Sequence, residues 1–371
     1  MSGTSLDGVD GALVDFADGG HRLLGHAHRP YPIALRAEFL ALNSPGPNEL
    51  QRAALAANAL ARSYAEVVHA LLATASILPS AVTAVGAHGQ TVRHCPSPGG
   101  TNPQAVEALT GYTLQLNNPA LLAELTGIDV VAEFRSRDLA AGGQGAPLVP
   151  GFHQAVFGGR GQALGVLNIG GIANLTALGP NPQDPLVGFD CGPGNALLDH
   201  WCQKHREQPF DADGAWAATG RVNTMLLDDL LAEPYFAAPA PKSTGRDLFN
   251  PNWLAQRLAQ HPDLAPVDVQ TTLAELTAQS CSMSFMRYVS AGKLLVVCGG
   301  GVHNDQLMQR LRAQLPGVQV RSSQTLGIDP LQVECAAFAW LARKAIRREA
   351  ANSPSVTGAR GARVLGAIYP A

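Results

Sequence analysis

Three glycine-rich polar turns, each beside a short apolar run, constrain the fold of this chain more than any other feature. They occupy residues 3–8, 168–174 and 299–304, beside the runs GALVDF, ALGVL and KLLVVC respectively. Glycine at such a turn lets the backbone approach a ligand closely and point its N–H groups at an anion. Turns of this kind in widely separated parts of the chain predict a nucleotide held in a cleft between two halves.

Composition excludes several classes of function. The 371 residues are 46% apolar, enough for two domains with their own cores, and 26 basic against 29 acidic residues give a net charge of −3. This balance provides neither the excess of basic residues that favours nucleic-acid binding nor a polybasic patch for a membrane. The sequence has no secretory pattern at its start, no apolar stretch of about 20 residues and no metal-type spacing among its six cysteines. We therefore expect a cytoplasmic globular protein with buried, reduced thiols.

Short apolar runs alternate with amphipathic stretches along the whole chain. Helical spacing predicts helices over residues 48–75, 195–205, 267–289, 305–315 and 333–350, whereas strands are predicted over 112–116, 128–134, 163–169, 175–178, 185–190, 293–298 and 318–320. This alternation indicates an α/β architecture. The segment at residues 3–16 and the one at 168–178 both follow the pattern of a polar turn beside strands, which favours two related halves with a boundary near residues 150–165.

Asp190 is the strongest candidate for a catalytic group. It ends a predicted strand and precedes a rigid Gly-Pro-Gly turn that opens a helix. A carboxylate fixed in this way can accept a proton from a hydroxyl group or from water. The alternative is an Asx-turn or a helix N-cap role. We consider the alternative weaker because Asn195 is better placed to cap the helix that follows.

Residues 134–147 form the densest polar cluster of the chain. Arg135 and Arg137 follow an apolar strand, and Gly142, Gly143 and Gly145 come shortly afterwards. Such a loop suits the clamping of anionic or hydroxylated ligand groups. An arginine that pairs with Asp138 and only orders the loop is the competing interpretation, and for Arg137 the two interpretations are equally favoured.

Three further segments carry weaker signals. His88 ends a strand and could line the same cleft, although a lone histidine is more often a hydrogen-bonded structural residue. Glu334 lies in the first turn of a helix, where an acid is favoured by the helix dipole alone. Residues 242–247 lack the full phosphate-loop pattern GxxxxGK[ST], and we interpret them as an ordered connection.

Together these segments resemble the anhydro-N-acetylmuramic acid kinase family, within the actin, Hsp70 and sugar kinase superfamily. The resemblance is carried, in order along the chain, by MSGTSLDGVD, AHGQTVRH, FRSRDLAAGGQGAPLVPGFH, LNIGGIANLT, FDCGPGNALLD, KSTGRDLFN, CGGGVHN and VLGAIYP. It implies an α/β, two-domain actin-like ATPase fold with duplicated ribonuclease-H-like halves and a nucleotide cleft between them. The domains would be residues 1–155 and 156–371, with the extreme C-terminus packing back on the first. Because the family has an apolar strand ahead of the first turn, we expect that strand either to be absent from this form or to precede Met1.

The resemblance also implies roles for individual residues. It implies catalytic roles for Asp190 and Glu334, and a magnesium contact for Asp7, directly or through water. ATP would be bound by Gly3, Thr4, Ser5, Leu6, Asp7, Gly8, Asn168, Gly170, Gly171, Asn174, Gly299, Gly300, Gly301 and Asn304. The sugar would be bound by His88, Gln90, Arg135, Arg137, Asp138, Gly142, Gly143 and Gln144.

The implied reaction consumes ATP with Mg²⁺ and 1,6-anhydro-N-acetylmuramic acid, in the recycling of cell-wall murein. Water activated by Asp190 would attack the anomeric carbon and open the 1,6-anhydro bridge, and the freed O6 would take the γ-phosphoryl group. The product would be N-acetylmuramic acid 6-phosphate. Two alternatives stay open: a kinase for another amino sugar on the same fold, and a non-enzymatic nucleotide switch of the actin or Hsp70 type. No nucleic acid or membrane partner is expected, and the resemblance leaves a homodimer open.

Overall fold

The computed structural model describes residues 1–3, 6–17, 20–96, 111–245 and 248–371. Contacts divide the chain into two compact units. The first contains Met1–Phe152 together with Glu334–Ala371, and the second contains His153–Val333. The division into residues 1–155 and 156–371 stays a prediction, and in the structure residues 334–371 group with the N-terminal residues. Among the described residues, no helix combines the length and the apolar character needed to cross a bilayer.

The first unit contains short sheets and one long helix. Its strands are β1 (Gly8–Asp15), β2 (Arg22–Pro30), β3 (Val85–Gly86), β4 (Gln90–Cys95), β5 (Tyr112–Leu116), β6 (Val130–Ala132) and β12 (Ala367–Tyr369). Its helices are α1 (Ile33–Leu42), α2 (Glu49–Ala75), α3 (Pro119–Thr126), α4 (Ser136–Ala140), α12 (Val333–Ile346), which starts at the last residue of the second unit, and α13 (Pro354–Thr357). The helix α2 confirms the helix predicted over residues 48–75.

Helix α2 organises the core of the first unit. Buried Leu60, Tyr64 and Leu71 recur at helical spacing on its apolar face, and this face packs on β1 and β2. Strands β1 and β2 pair with each other in antiparallel fashion. Their close pairing requires glycine at position 8, because a Cβ there would lie 2.3 Å from the carbonyl oxygen of Arg29.

The C-terminal residues complete a three-stranded sheet of the first unit. In this sheet β12 pairs antiparallel with β6, and β3 pairs parallel with β6 on its other side. Helix α12 packs directly on β3, where a Cβ at Gly86 would lie 2.4 Å from the carbonyl oxygen of Phe338. The strand end that carries His88 is therefore built from segments at both ends of the sequence.

The second unit contains a single five-stranded sheet covered by helices. Its strands are β7 (Leu164–Ile169), β8 (Ile172–Leu178), β9 (Val187–Pro193), β10 (Leu294–Cys298) and β11 (Gln319–Ser322). Its helices are α6 (Ala196–Arg206), α7 (Thr224–Leu231), α8 (Pro234–Ala237), α9 (Pro251–Leu258), α10 (Pro266–Tyr288) and α11 (Asp305–Gln314), while α5 (Pro150–Phe157) spans the residues at which the first unit ends.

The order of this sheet is β11-β10-β7-β8-β9. Strand β8 is antiparallel to its neighbours β7 and β9, whereas β10 and β11 run parallel to β7. A meander of three strands extended by two parallel strands is the arrangement expected of a ribonuclease-H-like half. The α/β class and these five predicted strands are confirmed. The sequence analysis did not foresee the strands β2, β4 and β12 or the helices α1, α3, α4, α5, α7, α8, α9 and α13.

Candidate active site

A row of polar side chains crosses the sheet of the second unit. Asn168 on β7 stands opposite Asn174 on β8, and Asn174 stands opposite Asp190 on β9. All three are half-buried, whereas the neighbouring strand residues are mostly buried. Because residues directly opposite in a pleated sheet share one face, the three polar groups are brought together at one place on that face.

The carboxylate of Asp190 is held by a segment distant in sequence. Its Oδ2 accepts hydrogen bonds from the Ser243 hydroxyl, at 2.7 Å, and from the Thr244 backbone N–H, at 2.9 Å. The backbone N–H of Asp190 donates to the Lys242 carbonyl, at 3.1 Å. Residues 242–245 are thus an ordered connection, as predicted, and they also contact the candidate catalytic group. Arg246 and Asp247 lie outside the described residues.

The turn at Gly170 and Gly171 joins β7 to β8 and fixes the start of α6. The Gly170 carbonyl accepts the backbone N–H of Asn195 at 2.8 Å, and the Gly171 carbonyl accepts those of Gly194 and Ala196 at 2.9 and 3.1 Å. The prediction that the Asn195 side chain caps α6 is wrong. Its amide nitrogen donates instead to the Ile169 carbonyl, at 3.2 Å, and its side chain makes no capping hydrogen bond to α6.

The third glycine turn packs against the end of β7. Gly299 has a φ of +81°, and a Cβ there would lie 2.3 Å from Oδ1 of Asn168. A Cβ at Gly301 would lie 2.4 Å from the Ile169 side chain, whereas Gly300 is exposed. Asn304 caps α11 through a 2.9 Å hydrogen bond from the Leu307 N–H. Backbone at Gly299 and Gly301 can approach β7 this closely only without side chains.

The first predicted phosphate turn leads into β1 in the other unit. Leu6 is buried with a φ of +57°, and Asp7 is exposed beside it. Met1 and Asp10 exchange backbone hydrogen bonds, which close the turn at its base. Gly3 is described and half-buried, whereas Thr4 and Ser5 lie outside the described residues.

Buried His88 and half-buried Arg135 form a hydrogen-bonded pair in the first unit. His88 is 5% exposed, and its Nε2 accepts hydrogen bonds from Nε and Nη2 of Arg135 at 3.0 and 2.9 Å. Its Nδ1 therefore carries the proton and donates to the Ser2 carbonyl at 3.2 Å. Burial and the neighbouring guanidinium lower the pKa of His88 well below its ordinary value. A histidine held neutral in this way orients the guanidinium.

Arg135 also connects this strand end to the polar loop. Its Nη1 donates to the Gly145 carbonyl at 2.8 Å. Burial lowers the pKa of Arg135 to about 10, against the attraction of Glu334 and Asp138. Glu334 lies in the first turn of α12, and desolvation of its carboxyl group by the surrounding protein raises its pKa against the charge of Arg135. The guanidinium is charged at neutral pH and is fixed on two sides.

The buried side chain of Asp138 holds the polar loop that follows it through hydrogen bonds. It is 0% exposed, and its carboxylate accepts hydrogen bonds of 2.8 Å each from the Gly145 N–H, the Asn352 side-chain amide and the Thr357 hydroxyl. A Cβ at Gly143 would lie 2.2 Å from Oδ2 of Asp138. Glycine at 143 is therefore required for the loop to close on this carboxylate.

The remaining predicted sugar-side residues differ in exposure. Gln90 is 2% exposed and accepts a long hydrogen bond from the Tyr31 hydroxyl. Gly142, Arg137 and Gln144 are exposed, and the Gln144 N–H donates to the Thr357 carbonyl. Ligand contacts by these residues stay predictions.

The structure adds residues that the sequence analysis did not assign to the site. These are Ser243 and Thr244 at Asp190, and Asn352 and Thr357 at Asp138. Among the described residues, no three His, Cys, Asp or Glu side chains are grouped to hold a metal ion. All six cysteines are free thiols; five are buried and Cys95 is half-buried.

Comparison with known proteins identifies the family. The sequence model for anhydro-N-acetylmuramic acid kinase matches residues 1–371. A relative named anhydro-N-acetylmuramic acid kinase from Variovorax paradoxus is 64% identical over 100% of this chain and 98% of its own length. A second relative of the same name, from Nitrosomonas europaea, is 51% identical over 100% of this chain and 98% of its own length.

Two solved structures show a distant likeness to this chain. A ROK family glucokinase from Streptomyces griseus in complex with glucose and AMPPNP has a TM-score of 0.38 and 14% identity, covering 91% of this chain and 100% of its own. The Acidaminococcus fermentans (R)-2-hydroxyglutaryl-CoA dehydratase component A has a TM-score of 0.42 and 14% identity, covering 90% of this chain and 98% of its own. The sequence relatives alone define the class, which is a family of sugar kinases. The chain belongs to the anhydro-N-acetylmuramic acid kinase family.

Proposed function

We propose that this protein is an ATP-dependent kinase that hydrolytically opens 1,6-anhydro-N-acetylmuramic acid and phosphorylates O6. The product is N-acetylmuramic acid 6-phosphate, formed in murein recycling. Family membership supports the substrate and the reaction class. The observation that supports the chemistry is the Asp190 carboxylate, which lies within β9, not at the strand end expected from the sequence, and is fixed by the Ser243 hydroxyl and the Thr244 N–H.

In the proposed mechanism, Asp190 acts as the general base. It takes a proton from a water molecule whose oxygen bonds to the anomeric carbon, while the bond between that carbon and O6 breaks. The electron pair left on O6 then attacks the γ-phosphorus of ATP, and ADP leaves. The proton balance closes when Asp190 later releases its proton to solvent. General bases of this kind typically contribute about 10²–10⁴-fold to the rate.

Arg135 and Glu334 are proposed to serve the sugar. Arg135 is charged and oriented by His88 and by the Gly145 carbonyl, so its position is set before any ligand binds. Such preorganisation avoids a reordering cost when the sugar arrives. The carboxylate of the sugar's lactyl group is a natural partner for a guanidinium. Glu334 is proposed to assist there, since a carboxyl with a raised pKa can exchange a proton with a sugar oxygen.

The glycine turns are proposed to bind ATP. Asp7 supplies an exposed carboxylate at the first of these turns, and Mg²⁺ bound to a nucleotide needs only one or two protein carboxylates beside phosphate oxygens and water. The donor chemistry of this turn therefore fits the ion, and Asp7 would hold it. When bound, the ion supplies charge neutralisation on the phosphates.

We place the activity in the cytoplasm, where ATP is available, and propose ATP and the anhydro sugar as the partners, without nucleic acid or membrane. A homodimer stays a prediction, which light scattering of the purified protein tests. A single molar mass of about 39 kDa would contradict it, since the chain has a mass of 38.7 kDa.

Product analysis in ¹⁸O-water tests the proposed function. Purified protein, Mg-ATP and the anhydro sugar are mixed, and the sugar phosphate is analysed by mass spectrometry at early times. We expect a ring-opened 6-phosphate that carries the label at its anomeric hydroxyl. Unlabelled product incubated in the same water measures exchange without enzyme. Asp190→Asn should bind nucleotide and release no product, whereas an active variant would contradict the role of Asp190.

A further inference from the structure

Asp190 is fixed by groups that lie outside its own sheet. Strand β9 is at the edge of the sheet, with β8 on one side. On the other side, the Lys242 carbonyl accepts the Asp190 N–H, and the Tyr235 hydroxyl donates to the Asp190 carbonyl at 2.7 Å. Both backbone groups of Asp190 are therefore held by Tyr235 and Lys242.

Among the described residues, two donors bind the same oxygen of the Asp190 side chain. The Ser243 hydroxyl and the Thr244 N–H both bind Oδ2. Two donors on one oxygen stop rotation of the carboxylate about its Cβ–Cγ bond, and so they set the direction of Oδ1. The rate of a proton transfer depends steeply on such alignment, because a displacement of about 1 Å can cost 10²-fold in rate.

Lys242 anchors this segment to helix α8. Its Nζ donates to the carbonyls of Tyr235 and Phe236 at 2.9 and 3.2 Å and lies 4.6 Å from the centroid of the Tyr235 ring. The carbonyls belong to α8, so the lysine caps the C-terminal end of that helix. The Lys242 charge also attracts the Asp190 carboxylate.

We propose that Ser243 and Thr244 are positioning residues that aim the Asp190 carboxylate at the attacking water, and that Lys242 anchors them. The inference rests on the proposed function of Asp190 as general base. Ser243 is exposed, and a single hydrogen bond of an exposed hydroxyl contributes little to folding stability. A positioning role and a purely structural role therefore predict different results when that hydroxyl is removed.

The test uses Ser243→Ala, with Ser243→Thr as the variant that retains a hydroxyl. We expect Ser243→Ala to lower kcat about 10- to 100-fold while the KM for ATP and the unfolding midpoint stay unchanged. Ser243→Thr should recover most of the lost rate. Thr219→Ala is the matched control, because Thr219 is also exposed and its hydroxyl bonds a backbone carbonyl of the same unit; its kcat should equal that of the unmodified protein.

Each outcome has a separate meaning. An unchanged kcat in Ser243→Ala would overturn the positioning role, as would a loss of rate matched by a lower unfolding midpoint. Lys242→Met should lower kcat in the same direction as Ser243→Ala, and a full rate in this variant would overturn the anchoring role. If the unmodified protein formed no phosphorylated sugar, the proposed function itself would fail, and the positioning role would fail with it.

Discussion

Replacement of Asp138 by asparagine should destabilise the first unit strongly. The carboxylate is 0% exposed, with two hydrogen bonds on Oδ1 and one on Oδ2. In Asp138→Asn one oxygen becomes an NH₂ group, which cannot accept a hydrogen bond. The less costly arrangement puts the NH₂ at the position of Oδ2, opposite the Gly145 N–H. Two donors then face each other in a buried place.

The expected cost follows from these contacts. The variant loses one hydrogen bond to a charged group, a contribution of about 1.5–3 kcal/mol, and leaves a buried N–H without an acceptor, which costs about 1–3 kcal/mol. We expect the free energy of unfolding to fall by roughly 2.5–6 kcal/mol, a large share of the ~5–15 kcal/mol typical of a folded protein. The opposite arrangement would lose two hydrogen bonds and cost more.

Chemical denaturation followed by circular dichroism measures this change. Asp15→Asn is the control, because Asp15 is an acid of the same unit with an exposed ion pair to Arg22, and its replacement should leave the unfolding midpoint unchanged. An Asp138→Asn variant as stable as the control would refute the reasoning. If it were also unable to bind the sugar, the carboxylate would be a ligand for substrate and not an internal support of the loop.

Two further predictions concern other buried groups. Burial lowers the pKa of His153 to about 3 from an ordinary 6.5. The neutral imidazole therefore contributes its full stabilisation of the folded state above pH 6.5, and this stabilisation is lost as the pH falls towards 3. When the pH is lowered from 7.5 to 5, the free energy of unfolding of the unmodified protein should fall by about 2 kcal/mol more than that of His153→Gln. Denaturant titrations measure this difference, and an equal pH dependence of the two proteins would contradict the prediction. Arg135→Lys loses the fork that binds His88, so the KM for the sugar should rise about 10-fold or more at an unchanged KM for ATP in steady-state kinetics. An unchanged sugar KM would show that the orientation of the guanidinium is unimportant.

The sheet of the second unit could be predicted because its strands are buried apolar runs. Strand β10 is buried at every position, and such runs stand out in a sequence without any knowledge of their neighbours. Strand β2 was missed because RLLGHAHRP has a glycine and two histidines, and it is a strand only through pairing with β1. Helices α7 and α9 are short, and their apolar faces were not separated from the surrounding loops.

The candidate site could be predicted in part, for a related reason. The glycine turns after β7 and β10 have local signatures, so their strand-end positions follow from neighbouring residues. Asp190 was correctly assigned to a strand, but the prediction that it ends this strand is wrong, because β9 continues to Pro193. The residues that hydrogen-bond to the site residues cannot be predicted from the local sequence. Ser243 lies 53 residues from Asp190, and Arg135 lies 47 residues from His88. Nothing in either local sequence indicates these hydrogen bonds. The prediction that Asn195 caps α6 was wrong for the same reason, because the carbonyl that accepts from its side-chain amide is on a strand distant in sequence.

The grouping of residues 334–371 with the N-terminal unit bears on the order in which this chain folds during synthesis. The second unit is continuous in sequence, so all of its residues have left the ribosome before the first unit is complete. Asn352 and Thr357 follow Asp138 by 214 and 219 residues, which take roughly 10–40 s to translate. During that interval the nascent first unit lacks two of the three donors of its buried carboxylate and the strand β12. We therefore expect the first unit to become stable only after the second unit has been synthesised.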